Sequence, residues 1–177
     1  FGKIIKLDNG KIGILFGKWS ILFFINFYLI IILYYNIKMD KNLELIKSEI
    51  NNLNILSNMN NIDEIIKRST VLIKKYPKIP IFYNFLGSSL EKKNQIYDAE
   101  IVYNKSLELD PKNIFVLINL GRISRLINNL EKSEQLLNEA LDLELENLFA
   151  LLYYGELKID QNNFNDAIFT FEKIYNK

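Results

Sequence analysis

Two arginines are the side chains best suited to binding a charged group. Arg122 and Arg125 are two of only three arginines in the 177-residue chain, and their spacing of three residues places them on one helix face. Guanidinium groups so placed can hold a carboxylate or another acidic group through forked hydrogen bonds. The alternative is that both arginines are solvated or pair within the chain, with Glu91 and Glu156 as the candidates.

Composition excludes most other site chemistry. The chain has no Cys and no His, so it cannot form a Ser-His-Asp or Cys-His nucleophile, a thiolate or imidazole metal site, or a disulfide. It also has no phosphate-binding loop motif. The formal net charge of +1 argues against a nucleic-acid surface. We therefore expect no catalytic residues, no metal and no cofactor.

A 34-residue period organises the chain from residue 80 onward. Its clearest marks are three glycines, each followed twelve positions later by a small residue and sixteen positions later by a large apolar one. Pro111 closes the first unit, whereas Leu145 stands at the matching place in the second. The glycines are Gly87, Gly121 and Gly155; the small residues are Ala99, Ser133 and Ala167; the large residues are Tyr103, Leu137 and Phe171.

These positions resemble the tetratricopeptide repeat, whose W-x2-L-G-x2-Y, A-x3-F and P pattern they follow at matching offsets. The resemblance gives three units, 80–113, 114–147 and an incomplete 148–177, and a degenerate unit at 46–79. It implies an all-α solenoid of antiparallel helix pairs, the first pair being a helix A from Ile81 to about Lys93 and a helix B from Ile96 to Leu109. Without a proline, we expect the second unit's helix B to end less sharply.

In this family the A helices line a concave groove that holds a segment of a partner protein. The resemblance also brings two specialised expectations. Asn84 and Ser88 stand where some members carry part of a basic clamp for C-terminal carboxylates, and this chain lacks its Lys. Asn119 matches one rung of an asparagine ladder found in repeats that precede glycosyltransferase or sulfotransferase domains. The expected groove residues are Ile81, Asn84, Ser88, Glu91, Phe115, Ile118, Asn119, Arg122, Arg125, Phe149, Leu152 and Glu156.

The first 38 residues differ from the rest, with five Lys and one Asp. From Trp19 to Ile37 no residue is charged, and 19 residues of helix span roughly 28 Å, close to the ~30 Å hydrocarbon core of a bilayer. We expect a single transmembrane helix at 19–37 and a repeat array at 39–177. The alternative is that Met39 is the true start, because the preceding segment uses few amino-acid types, as translated non-coding DNA would.

Two functions follow from this organisation. The first is a non-enzymatic scaffold or assembly adaptor that binds a protein or peptide segment and is tethered to a membrane by a single pass. The second is the substrate-recruiting region of a longer soluble, cytoplasmic glycosyltransferase or sulfotransferase that begins at Met39. The last unit stops at Lys177 without a polar capping helix, so we expect further chain or a partner beyond it.

Overall fold

The structure is a computed structural model that describes residues 3–6, 12–15 and 18–175, with side chains described from 26 to 175. The chain forms two compact units, Phe1–Glu49 and Ile50–Lys177. Helix α1, Lys18–Asn58, contributes residues to both. The predicted boundary between residues 38 and 39 therefore falls inside a helix, and it stays a prediction.

The first unit contains a short β-hairpin and the N-terminal part of α1. Strands β1, Lys3–Lys6, and β2, Ile12–Leu15, pair antiparallel, with Lys3 opposite Leu15 and Lys6 opposite Ile12. The sequence between the strands holds Asn9-Gly10, a dipeptide typical of hairpins. The sequence analysis did not predict this hairpin, so the all-α description applies to the second unit.

The predicted transmembrane segment lies in α1. From Phe27 to Met39 most large apolar side chains are exposed, for example Ile30 at 62% and Ile37 at 67%. Over the described part of the chain, no helix has both the length and the apolar character required to cross a membrane. The predicted residues 19–25 lie outside the residues whose side chains are described.

The second unit is a series of antiparallel helix pairs. Within each pair the helices pack closely along the chain, and each B helix also packs on the next A helix. The predicted helix B of the first pair matches α4, and helix A matches α3 to within one residue. The helices after α1 are α2 Ile62–Lys75, α3 Pro80–Lys92, α4 Ile96–Leu109, α5 Ile114–Leu126, α6 Leu130–Leu143, α7 Leu148–Asp160 and α8 Phe164–Tyr175.

Each A helix ends at an asparagine in the left-handed region. Such a conformation costs most L-residues about 1–2 kcal/mol, but asparagine tolerates it. The amide of the following residue donates to the carbonyl five residues earlier, which satisfies the helix end as a Schellman motif does. This 34-residue asparagine period was missed in the sequence, and it extends into the degenerate unit. The residues are Asn60, Asn94, Asn128 and Asn162, with φ between 52° and 62°.

The residue after each of these asparagines is the N-cap of helix B. Asn61, Asn129 and Asn163 each accept a hydrogen bond from the backbone N–H three residues on, at 3.4, 3.2 and 3.4 Å. Among these four described positions, Gln95 makes no such bond. The turn between the helices of a pair is therefore defined by two adjacent polar residues, and the pair at 94–95 is its weakest copy.

The repeat glycines allow close contact between the two helices of a pair, as the period predicted. A Cβ atom added to Gly87 would lie 2.7 Å from Cε1 of Tyr103, which is fully buried. The equivalent distance for Gly121 is 2.7 Å to Leu137 Cγ. The small residues Ala99, Ser133 and Ala167 are also buried, at 0–3% exposure. Glycine is required at the eighth position because the large side chain sixteen residues later fills the space.

The missing proline at position 145 does not loosen helix α6. Helix α6 ends at Leu143, which is 34 residues after Leu109, the end of α4. The expectation of a less sharply defined end was therefore wrong. The reason is side-chain capping: Asn113 donates to Asp110 at 2.9 Å, and Asn147 donates to Glu144 at 3.0 Å. Both asparagines then cap the next A helix, so Pro111 only accompanies a turn that does not depend on it.

Ion pairs join successive units through their B helices. Lys132 on α6 contacts Glu100 on α4 at 2.6 Å. Lys158 on α7 contacts Glu134 on α6 at 2.6 Å, and Gln161 donates to the second oxygen of the same carboxylate. Burial opposes the charge on Lys158, but its hydrogen bond to Glu134 outweighs this and raises its pKa. The same bond lowers the pKa of Glu134, so both groups are charged near neutral pH.

Candidate functional site

A cleft of about 380 Å³ opens along helix α3. One side is formed by α3, through Ile81, Asn84, Phe85 and Ser88, and the other by the start of α5 with Asn113 and Phe115. Ser57, near the end of α1, also lines it and lies in the same compact unit. The lining is mainly apolar, with small neutral polar groups. The predicted groove residues on α3 and Phe115 are thus brought together.

A second cleft of about 190 Å³ lies between α5 and α7, two helices in direct contact. It is lined by Phe115, Ile118, Asn119, Phe149 and Tyr153. Its volume is below the roughly 300–1,000 Å³ of typical small-molecule sites. It therefore suits one large side chain better than a whole ligand. Phe115 borders both clefts, so they form one continuous groove across helices α3, α5 and α7.

The aromatic side chain shared by the two clefts is held in place from below. The ring of Phe115 meets that of Tyr103 edge to face, with centroids 6.2 Å apart. Tyr103 is fully buried, and burial, with the nearby charge of Glu91, raises its pKa above the ordinary value. Phe115 itself is half exposed. The groove thus presents an aromatic surface on a fixed support.

Three predicted groove residues differ in how they contribute. Asn84 and Ile118 are each only 6% exposed, so they form cleft floors rather than open surface. Asn84 contacts Ser106 Oγ at 2.5 Å, which ties α3 to α4. Leu152 is 37% exposed but lines neither cleft. Asn119 donates its side-chain N–H to the Phe115 carbonyl at 2.7 Å.

The two arginines pair with carboxylates on neighbouring A helices. Arg122 on α5 forms an ion pair with Glu91 on α3 and lies over the ring of Tyr153, 5.6 Å from its centroid. Arg125 contacts Glu156 at 2.5 Å and Asp160 at 2.8 Å, both on α7. The pairing alternative is therefore what the structure shows. The guanidinium groups are already occupied by the chain itself.

Sequence reasoning missed several residues of the groove. Phe85 and Tyr153 occupy the sixth position of their A helices, as Asn119 does, and that shared position was the available signal. Asn113 enters the first cleft because it caps α5. Asp160 joins Arg125 from the last turn of α7, a contact that the predicted groove positions did not include.

Family models for the tetratricopeptide repeat match residues 81–113 and 102–135. The first match coincides with the predicted unit 80–113 to within one residue. The second begins in α4 and ends in α6. Neither match indicates a catalytic family. No curated protein matches the chain by sequence.

Solved structures with this fold include other tetratricopeptide-repeat proteins. MamA from Desulfovibrio magneticus RS-1, residues 41 to the end, is 19% identical with a TM-score of 0.65, over 72% of each chain. The first repeat domain of Spaghetti (RPAP3), bound to the HSP90 peptide SRMEEVD, is 18% identical with a TM-score of 0.61, over 64% of this chain and 90% of that one. The Arabidopsis OM64 repeat domain is 17% identical with a TM-score of 0.61, over 64% and 94%. By its repeat sequences and its fold, the chain is a tetratricopeptide-repeat protein.

Proposed function

We propose that this protein is an interaction scaffold whose groove on helices α3, α5 and α7 holds an extended segment of a partner protein. The observation that carries the proposal is the pair of adjacent apolar clefts that share Phe115. Phe149, at 64% exposure, extends this apolar surface onto α7. The structure of the first repeat domain of RPAP3 with an HSP90 peptide supports peptide binding by this fold.

A random peptide library tests the proposal directly. Displayed 12-residue peptides are selected on the full chain, and the binders are measured against Phe115→Ser combined with Phe149→Ser. The matched control is Tyr97→Ser combined with Ile101→Ser, since those apolar residues on α4 are 71% and 68% exposed and line neither cleft. We expect the groove variant to lose at least tenfold in affinity, about 1.4 kcal/mol, while the control is unchanged.

Equal weakening by both variants would indicate nonspecific apolar contact and would contradict groove binding. So would the absence of any selected peptide that depends on the groove. Circular dichroism of both variants verifies that their helices are intact. A groove-specific loss with unchanged helix content is the outcome that establishes the site.

We also propose that residues 19–37 tether the scaffold to a membrane. The support is the uncharged run in the sequence and the exposed apolar side chains of α1 between Phe27 and Ile37. Expressed full-length chain should stay in the membrane fraction through buffer and high-salt washes. The variant Leu29→Lys with Leu33→Lys places two charges in the run and should be released. Release of the unaltered chain by buffer alone would contradict the tether.

The alternative of a recruiting region in a longer soluble transferase that begins at Met39 stays a prediction. Its support was the single ladder residue Asn119. In the neighbouring units the sixth positions are Phe85 and Tyr153, whose rings line the clefts instead of continuing a row of amides. The flanking DNA tests this alternative, because a stop codon directly after Lys177 would contradict it.

A further inference from the structure

We infer that the groove selects an extended segment with two large apolar side chains three residues apart and a basic residue close to them. The inference rests on the proposed function and specifies the chemistry of the partner. It combines two observations, the placement of the clefts relative to the helices and the charge of the ion-pair cluster beside them.

The spacing follows from the helix packing. One cleft lies between α3 and α5, and the next lies between α5 and α7, so their centres are separated by about one helix spacing. Packed helices lie about 8–10 Å apart. A polyproline II segment rises about 3.1 Å per residue with three residues per turn, so side chains three apart are ~9 Å apart on the same face. In a β-strand, same-face side chains are ~7 or ~13 Å apart, which fits less well.

The clefts themselves offer no charge to a partner. Among the described residues that line them, all are apolar or neutral polar, including Asn84, Ser88, Asn113 and Asn119. Apolar side chains can therefore enter without burying an unpaired charge. Discrimination by charge has to come from the groups beside the clefts, on the C-terminal halves of the same helices.

The adjacent ion-pair cluster carries an excess of negative charge. Arg122 and Arg125 contact three carboxylates, Glu91, Glu156 and Asp160. Both arginine side chains are less than 20% exposed, whereas those of Glu156 and Asp160 are 36% and 40% exposed. An approaching segment meets carboxylates first. A basic residue is attracted, and an acidic residue would have to displace an existing partner of an arginine.

Three synthetic peptides separate these two features. In a Gly/Ser background of 12 residues, the first has phenylalanine at the fourth and seventh positions and lysine at the tenth. The second moves the later phenylalanine to the sixth position, and the third replaces lysine by glutamate. Fluorescence anisotropy measures each against the full chain. We expect the first peptide to bind at least about fivefold more tightly than either of the others, and Phe115→Ser to remove its binding.

A protein variant checks the charge argument independently. Glu156→Gln with Asp160→Asn leaves the clefts intact, so it should keep the spacing preference and abolish the preference for lysine. Equal binding of the three peptides, or no measurable binding of any, would overturn the inference. So would library-selected binders that depend on Phe115 but lack this spacing and a basic residue, although those binders would leave the proposed function standing. Only the lack of groove-dependent binders overturns the proposed function itself.

Discussion

Replacing a repeat glycine by alanine tests how closely the helices of one pair approach. In Gly121→Ala the added methyl would lie 2.7 Å from Leu137 Cγ and 2.9 Å from its Cδ2. Cγ is the branch point of a fully buried side chain, so it cannot move away without shifting its own helix. The contact is shorter than any ordinary carbon–carbon distance, so the pair must separate or Leu137 must leave its preferred rotamer.

Two opposing terms set the magnitude. In a helix interior, alanine is favoured over glycine by about 1 kcal/mol. Overpacking of a well-packed core costs about 1–3 kcal/mol. With a neighbour that cannot yield, the upper part of that range applies, so we expect a net loss of about 1–2 kcal/mol. Gly155→Ala meets Phe171 at 2.6 Å, but this ring is only half-buried and lies on α8. There we expect a net change near zero.

Urea denaturation followed by circular dichroism at 222 nm measures these changes. The decisive control is the same substitution in a Leu137→Ala background, where the clashing atoms are gone. In that background Gly121→Ala should raise the free energy of unfolding by about 1 kcal/mol, the intrinsic helix preference alone. The reasoning is refuted if Gly121→Ala stabilises the unmodified protein, or if its effect is the same in both backgrounds.

Three further substitutions test local features of the array. Gln95→Asn should supply the missing N-cap of α4 and raise the thermal midpoint, by about 1 kcal/mol of stability, whereas an unchanged midpoint would contradict the capping argument. Asn128→Ala should cost about 1 kcal/mol because of its positive φ, and Asn128→Gly should change stability by less than about 0.5 kcal/mol in the same melt. Burial raises the pKa of Tyr103, so its phenol stays protonated when folded but ionises near pH 10 when unfolded. Stability relative to Tyr103→Phe should therefore fall above pH 10 by up to about 1.4 kcal/mol per pH unit in urea titrations, and a pH-independent difference would contradict this.

The repeat architecture was predictable because its spacing is a packing requirement. A glycine must face a large side chain sixteen residues later in each pair, and this constraint leaves a period that can be read without coordinates. Gly87 with Tyr103 and Gly121 with Leu137 are two copies of it. The boundaries of α4 were predictable for a related reason, since Asp110-Pro111 breaks the helix where the period requires.

The groove was predictable only in part, because exposure depends on how each A helix is rotated about its axis. Asn84 and Ile118 occupy the same repeat position, and both lie on cleft floors rather than on open surface. Tyr153 enters the second cleft from a position that a ladder of amides was expected to fill. The partners of Arg125 depend on side-chain reach across two helices, which a repeat register does not specify.

The ion pairs between units have a mechanical consequence. The first junction is connected by Glu91–Arg122 between A helices and by Glu100–Lys132 between B helices. A solenoid that flexes at such a junction stretches one connection as it compresses the other, so bending in either direction is resisted. Because salt screens exposed charges within about 10 Å at 0.1 M, the stiffness of the array should decrease as ionic strength rises. The array would then become more compliant while its helix pairs, which depend on buried apolar contacts, stay folded.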